Sequence, residues 1–177
     1  MEHFKEKYKT GIVARIPERS KNDIRKEIGL KEKEYAVLFA MGGSNQEIIC
    51  RHEKNIKILT MNSIVNSAES VLNYSEWLEG QELVSASDLV ICKCGYGMIS
   101  ECLTNGIPFY YVSDDNHLEQ KAMTEELSGY SLAKRTTLVE ISNLHFNQKF
   151  IDNLPLEDKM PRDNENVTVH IMEFLKN

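Results

Sequence analysis

Three apolar runs, each ending at a turn, place the strongest constraint on how this chain folds. Residues 35–41 form an uninterrupted run that stops at Gly42 and Gly43, and shorter runs cover residues 89–92 and 107–112. Continuous apolar runs of this length are typical of strands buried on both faces in parallel sheets. The sequence therefore predicts an α/β fold, an open doubly wound parallel sheet with helices on both faces.

Helical patterns and further strands alternate with these runs. The predicted helices cover residues 20–28, 75–86, 98–104 and 116–127, and the additional strands cover residues 56–61 and 70–74. Asp114 or Asp115 is expected to cap the helix at 116–127. Residues 144–154 are compatible with another helix, 155–166 with a polar loop, and 167–175 with a closing amphipathic helix. The stretch 43–56 is short for a helix, so we expect an abbreviated first crossover.

Length and composition indicate one domain. The 177 residues suffice for a single α/β unit, with a lead-in segment at 1–34 and the domain at 35–177. A net charge of −6 disfavours nucleic-acid partners. No apolar stretch approaches the length of a membrane span, and the charged N-terminus does not match a secretory signal, so we expect a cytoplasmic protein. The four cysteines fit buried free thiols without zinc spacing, and no metal or cofactor is expected.

Two glycine turns at the predicted carboxyl ends of the strands are candidate ligand loops. The first consists of Gly42, Gly43, Ser44 and Asn45, and the second of Gly95, Tyr96, Gly97, Met98 and Ile99. Glycine lets backbone approach a ligand closely, and the N–H groups at a following helix start favour an anion such as phosphate. On its own the first turn is a weak signal, more typical of an ordinary connection between a strand and a helix.

Glu101 stands on the first turns of the helix after the second glycine turn. It lies away from the centre of the apolar face formed by Met98, Ile99, Cys102 and Leu103. A carboxylate there can accept hydrogen bonds from both hydroxyls of a ribose. The alternative is a solvated glutamate favoured by the helix dipole. In either case we expect an exposed position at which Glu101→Ala leaves the fold intact.

A third loop follows the strand at 107–112. Asp115, Asn116, Glu119 and Gln120 could hold the hydroxyls of a sugar, although a plain helix cap explains an aspartate there equally well. His117 is expected to be a surface histidine.

The segment from Ala86 to Pro108 resembles the C-terminal domain of MurG-like glycosyltransferases. It has, in the family's order, Asp88 before an apolar strand, a glycine turn, Ser100-Glu101 on a helix, and Gly106-Ile107-Pro108 before the next strand. The resemblance extends to the turn at 42–44, to the loop at 115–120, and to residues 10–15, which are similar to the family's interdomain segment. It covers roughly residues 10–132.

This resemblance implies a Rossmann-like half of a two-domain GT-B glycosyltransferase that binds a UDP-sugar donor. Glu101 would hold the ribose, residues 95–99 the diphosphate and the surroundings of the base, and Asp115, Asn116, Glu119 or Gln120 the sugar. The catalytic base and the acceptor site would lie in a separate N-terminal domain, so no catalytic residue is expected in this chain. The chain would be a fragment or a split subunit, and membrane contact would occur only through the other half.

Two alternatives remain open from the sequence. A nucleotide-sugar hydrolase or epimerase shares the GT-B fold, and a non-catalytic nucleotide-binding domain could carry the same turns. The chain also departs from the family at Cys94 and Tyr96, where serine or alanine is frequent, and at His117 or Leu118, where glutamine is frequent. The donor sugar is therefore not specified by the sequence.

Overall fold

The structure is a computed structural model that describes residues 9–42, 47–61, 64–67, 71–73, 79–157 and 159–174. Its strands are β1 Tyr35–Ala40, β2 Glu47–Ile49, β3 Arg51–His52, β4 Ile56–Thr60, β5 Ile64–Asn66, β6 Val71–Asn73, β7 Leu89–Lys93, β8 Phe109–Val112, β9 Ala133–Arg135 and β10 His145–Phe146. Its helices are α1 Lys21–Glu27, α2 Gly80–Ala86, α3 Tyr96–Asn105, α4 Leu118–Leu127, α5 Leu138–Asn143, α6 Gln148–Asp152 and α7 Asn164–Phe174.

Six of the strands form one parallel sheet in the order β6-β4-β1-β7-β8-β9. Side chains of β1 alternate between two buried layers. Leu38 packs with the side chains of α1 to α4, whereas Val37 and Phe39 pack with those of β2, α5, β10 and α6. Both faces of the sheet are therefore covered, which explains the continuous apolar runs and confirms the predicted fold class.

The crossovers on the side of β4 and β6 differ from the expected alternation of strand and helix. Between β1 and β4 the described residues contain β2 and β3, and β5 lies between β4 and β6. β2 pairs with β5 and β3 with β10, in two short parallel ribbons. The expected abbreviation of the first crossover is confirmed. Ile48 is buried between two exposed neighbours, which is the alternating pattern of a half-buried strand.

Four predicted helix boundaries were wrong, and one of them is the start of α3, which lies at Tyr96 rather than at 98. Asn147 caps α6 by accepting a bond from the Phe150 N–H, so the stretch 144–154 divides into the strand β10 and a short helix. Helix α4 begins at Leu118 with His117 at its N-cap, and neither Asp114 nor Asp115 caps it. Helix α7 begins at Asn164 rather than at 167, within the predicted loop. Among the described residues, no helix has the length and apolar character needed to cross a bilayer.

Candidate functional site

The strand order reverses its direction between β1 and β7, and we refer to the space at the carboxyl ends of these two strands as the crevice. From β1 the chain moves outward to β4 and β6, and it then returns to the other side of β1 to build β7, β8 and β9. Ligands of open α/β sheets bind at this kind of switch point. Ala40 pairs with Cys92 in the register, so the turns after both strands leave the sheet at the same level.

The start of helix α3 forms one wall of this crevice. Gly95 is its N-cap and contributes no side-chain hydrogen bond, and the first intrahelical bond runs from the Ile99 N–H to the Gly95 carbonyl. The N–H groups of Tyr96, Gly97 and Met98 thus lie at a helix start without a side-chain cap. A Cβ atom added at Gly95 or Gly97 would meet no described atom within 4 Å. The backbone is therefore open to a ligand at this point.

Glu101 is buried, and the expectation of an exposed position was wrong. Its side chain is 1% exposed, and its Oε1 accepts a hydrogen bond of 2.6 Å from the Nε of Arg15. Its Oε2 is buried and has no hydrogen-bond partner in the described part of the chain. Local periodicity could not reveal this burial, because Arg15 lies 86 residues earlier in the sequence.

The surroundings of Glu101 oppose its negative charge. Burial raises the pKa of the Glu101 carboxyl above its usual value, and the Arg15 guanidinium only partly offsets this effect. Because an orphaned buried polar atom costs free energy, Oε2 is stabilised when a donor reaches it.

Arg15 is a site residue that the sequence reasoning did not single out. Its side chain remains 58% exposed although its Nε is bound to Glu101. A Cβ atom added at Gly80, the first residue of α2, would lie 3.1 Å from one terminal nitrogen of Arg15. The guanidinium therefore lies between α2 and α3, where its remaining N–H groups are available to an anion. The sequence signal that could have indicated this role is the position of Arg15 at the end of the 10–15 segment.

The loop after β8 lies next to the turn after β7, because the Cys94 N–H donates to the Val112 carbonyl at 2.8 Å. Several of its polar groups already have partners, within the loop or on β9. Asp115 pairs with Arg135 at 2.7 Å, Asn116 donates to Asp114, and the side-chain oxygen of Gln120 accepts from the Asp114 N–H. These contacts hold the loop beside the crevice.

The structure brings together only part of the predicted site. Tyr96, Gly97, Met98 and Ile99 lie on the same helix as Glu101. Gly42 follows β1 with a φ of 61°, in the left-handed region that favours glycine. Gly43, Ser44 and Asn45 lie outside the described residues, so their predicted role stays a prediction. The direct participation of Asp115, Asn116, Glu119 and Gln120 in ligand binding likewise stays a prediction.

The cysteines close to the crevice are poor nucleophiles. Cys92, Cys94 and Cys102 are buried and free. Burial raises the pKa of each thiol above its usual value, so all three are protonated at neutral pH.

Comparison with known proteins identifies the family. The model of the glycosyltransferase family 28 C-terminal domain matches residues 20–145. The chain is also 24% identical over 136 residues to an L-arabinokinase of Arabidopsis thaliana. The aligned region covers 73% of this chain but 13% of that protein.

Two solved glycosyltransferase structures share the fold. SnogD from Streptomyces nogalater superposes with a TM-score of 0.53 at 11% identity, covering 82% of this chain and 45% of that one. MurG from Acinetobacter baumannii gives a TM-score of 0.50 at 15% identity, covering 88% and 53%. The chain thus spans about half the length of these GT-B enzymes. Together with the family match, these findings show that the chain belongs to the glycosyltransferase family 28 C-terminal domain family.

Proposed function

We propose that this domain binds the nucleoside diphosphate end of a UDP-sugar donor in the crevice between β1 and β7. Glu101 binds the ribose, the start of α3 and Arg15 bind the diphosphate, and the loop after β8 contacts the sugar. The domain acts as the donor-binding half of a glycosyltransferase.

The buried, unpartnered Oε2 of Glu101 is the observation that carries this proposal. A carboxylate oxygen can only accept hydrogen bonds, so its natural ligand presents hydroxyl or N–H donors. The neighbouring 2′ and 3′ hydroxyls of a ribose supply two such donors from one rigid ring. Glu101 lies on the same helix as the uncapped N–H groups, so a ribose bound there keeps its phosphate close to them.

Two features favour a negatively charged group beside the ribose. The start of α3 carries the positive end of the helix dipole and free N–H groups. Arg15, which is anchored on Glu101 through its Nε, adds a guanidinium that can bind phosphate oxygens with its terminal nitrogens. An open backbone at Gly95 and Gly97 leaves room for the phosphates.

The loop after β8 is proposed to bind the sugar through Asn116, Glu119 or Gln120. Asp115 and Gln120 also support the loop through Arg135 and the Asp114 backbone. The acceptor site and the catalytic base are proposed to lie in a second domain, on the same polypeptide or on a partner subunit. We therefore expect the present chain alone to bind the donor without turning it over.

Calorimetric titration of the purified chain with UDP and with 2′-deoxy-UDP tests the ribose contact. Each hydrogen bond to a charged acceptor contributes about 1.5–3 kcal/mol, so Glu101→Ala should weaken UDP binding roughly tenfold or more. The deoxynucleotide should bind the wild type more weakly than UDP does. In the Glu101→Ala variant the two ligands should bind almost equally, because the partner of the 2′ hydroxyl is gone.

Glu140→Ala is a matched control, because Glu140 is a glutamate whose described hydrogen bonds all go to Thr136 and Thr137 at the start of α5. It should leave UDP affinity unchanged. Circular dichroism must show that each variant is folded, since truncating the buried Glu101 changes packing. The ribose assignment is wrong if a folded Glu101→Ala protein binds UDP as the wild type does.

A second candidate is a nucleotide-sugar-binding module in an enzyme of another class. The match to part of a protein named L-arabinokinase favours it, because the matched segment is a small share of that protein. Product analysis of the complete natural polypeptide with UDP-sugars separates the candidates. Glycosyl transfer supports the first proposal, and nucleotide binding without transfer or hydrolysis supports the second.

A further inference from the structure

We infer that Asn164, the first residue of the C-terminal helix α7, is a positioning residue that presents Arg15 to the diphosphate of the donor. This inference rests on the proposed function of Arg15. Asn164 lies 150 residues after Ala14 in the sequence, yet its side chain bonds to the backbone immediately before Arg15.

Two hydrogen bonds join Asn164 to Ala14. The side-chain Nδ2 donates to the Ala14 carbonyl at 2.8 Å, and the side-chain oxygen accepts from the Ala14 N–H at 3.2 Å. The side-chain amide of Asn164 thus bonds both the N–H and the carbonyl of Ala14. Such a pair fixes the orientation of the backbone as well as its position.

The rest of the preceding segment is held in the same way. The Gly11 N–H donates to Oδ2 of Asp163 at 2.7 Å, and the Asp163 N–H donates to the Ile12 carbonyl at 2.7 Å. The Val13 N–H donates to the Tyr96 hydroxyl at 3.0 Å, which ties this segment to the start of α3. Residues 11–14 therefore form a strap fixed by α7 on one side and by α3 on the other.

Arg15 is the residue that emerges from this strap. Its own side chain is more than half exposed and its only hydrogen bond described is to Glu101. An arginine loses considerable rotamer freedom when it is immobilised on a ligand. If the backbone before Arg15 were released, the side chain would spend less time on Glu101 and phosphate binding would weaken. A uridine without phosphate would be much less affected.

The affinity test compares UDP with uridine in four proteins: wild type, Asn164→Ala, Arg15→Ala and the double variant. Asn164→Ala should weaken UDP binding roughly threefold to tenfold, as expected for loosening one long side chain, and should leave uridine binding nearly unchanged. In the Arg15→Ala background the Asn164 substitution should have little further effect. Equal losses for UDP and uridine, or additive losses in the double variant, would show a merely structural role.

Asn153→Ala is the matched control, because the amide of Asn153 also donates to a backbone carbonyl, but on α6. It should change neither affinity. If Asn164→Ala fails to fold, Asn164→Asp keeps the acceptor for the Ala14 N–H while it removes the donor to the Ala14 carbonyl. The same selective loss for UDP is expected from that variant.

A measurement without nucleotide separates this inference from the proposed function. In a ¹⁵N NMR spectrum, the Arg15 Nε–H cross-peak is identified by its loss in Arg15→Ala. Asn164→Ala should shift this peak and accelerate its exchange with water, whereas Asn153→Ala should not. An unchanged Arg15 peak in folded Asn164→Ala overturns the inference. Failure of the wild type to bind UDP would instead refute the proposed function, while the cross-peak would still decide whether Asn164 positions Arg15.

Discussion

Replacing Glu101 by glutamine should separate stability from binding. The substitution keeps the size and shape of the side chain but removes the negative charge from a side chain that is only 1% exposed. Burial raises the pKa of this carboxyl, so the native structure disfavours its charged form. Arg15 remains 58% exposed and keeps its hydration when its partner is neutral. We therefore expect the melting temperature at pH 7 to stay unchanged or rise.

The pH dependence has a defined sign. A carboxyl whose pKa is raised by folding favours the native state below its unfolded pKa, and this contribution is lost as the pH rises through the folded value. The wild type should therefore match Glu101→Gln in stability at acidic pH and fall behind it above that window. Glu140→Gln is a matched control of opposite sign, because hydrogen bonds to Thr137 lower the pKa of Glu140. Thermal melts from about pH 3 to about pH 8, on both sides of the ordinary glutamate pKa, would check both trends.

Nucleotide binding should respond in the other direction. A hydrogen bond to a charged acceptor contributes about 1.5–3 kcal/mol and one to a neutral acceptor about 0.5–1.5 kcal/mol. In glutamine one carboxylate oxygen is replaced by an NH2 group, which donates and cannot accept from a ribose hydroxyl, and the remaining oxygen is a neutral acceptor. The exchange thus costs at least about 1 kcal/mol, or roughly fivefold or more in UDP affinity. Calorimetry on Glu101→Gln measures this loss. A destabilised variant that binds UDP with undiminished affinity would contradict both the burial argument and the ribose contact.

Three other substitutions test neighbouring parts of the account. Gly97→Ala should stabilise α3 by up to about 1 kcal/mol, because the added Cβ meets no described atom within 4 Å. The same substitution should weaken UDP binding. Thermal melts measure the first effect and calorimetry the second. Gly42→Ala should destabilise the fold by about 1 kcal/mol in chemical denaturation, because the φ of Gly42 is 61°. Asp163→Asn should reduce the loss of stability on acidification. The Gly11 N–H lowers the pKa of Asp163 in the folded wild type, so the ionised carboxylate stabilises the fold. The wild type loses this stabilisation as the pH falls through the lowered pKa.

The parts of the fold that the sequence predicted are those specified by local pattern. β1, β7 and β8 carry continuous apolar runs because both faces of the sheet are covered. Helix α3 lies between Gly95, its N-cap, and Gly106, which ends it with a φ of 67°. Such features need only a few adjacent residues, and so they can be read without tertiary information.

The features that were missed depend on contacts between distant segments. β3 has two residues, and its pairing with β10 at His145–Phe146 cannot be inferred from either sequence alone. Glu101 has the local pattern of a solvated glutamate, yet its side chain is buried and paired with Arg15 from a distant segment. The long sequence separation between Arg15 and Glu101 also explains why the sequence predicted only an interdomain segment at Arg15, without a binding role. Tertiary packing decided these positions, not local propensity.

The most direct test of the central claim is to locate UDP on the folded chain by NMR chemical-shift mapping. We predict that the largest amide shifts fall on Tyr96, Gly97 and Met98, with further shifts at Glu101 and Arg15. That result would place the diphosphate at the start of α3 and the ribose on the buried carboxylate. Shifts confined to another surface, such as the cleft lined by His52 and His145 beside β3 and β10, would contradict the account.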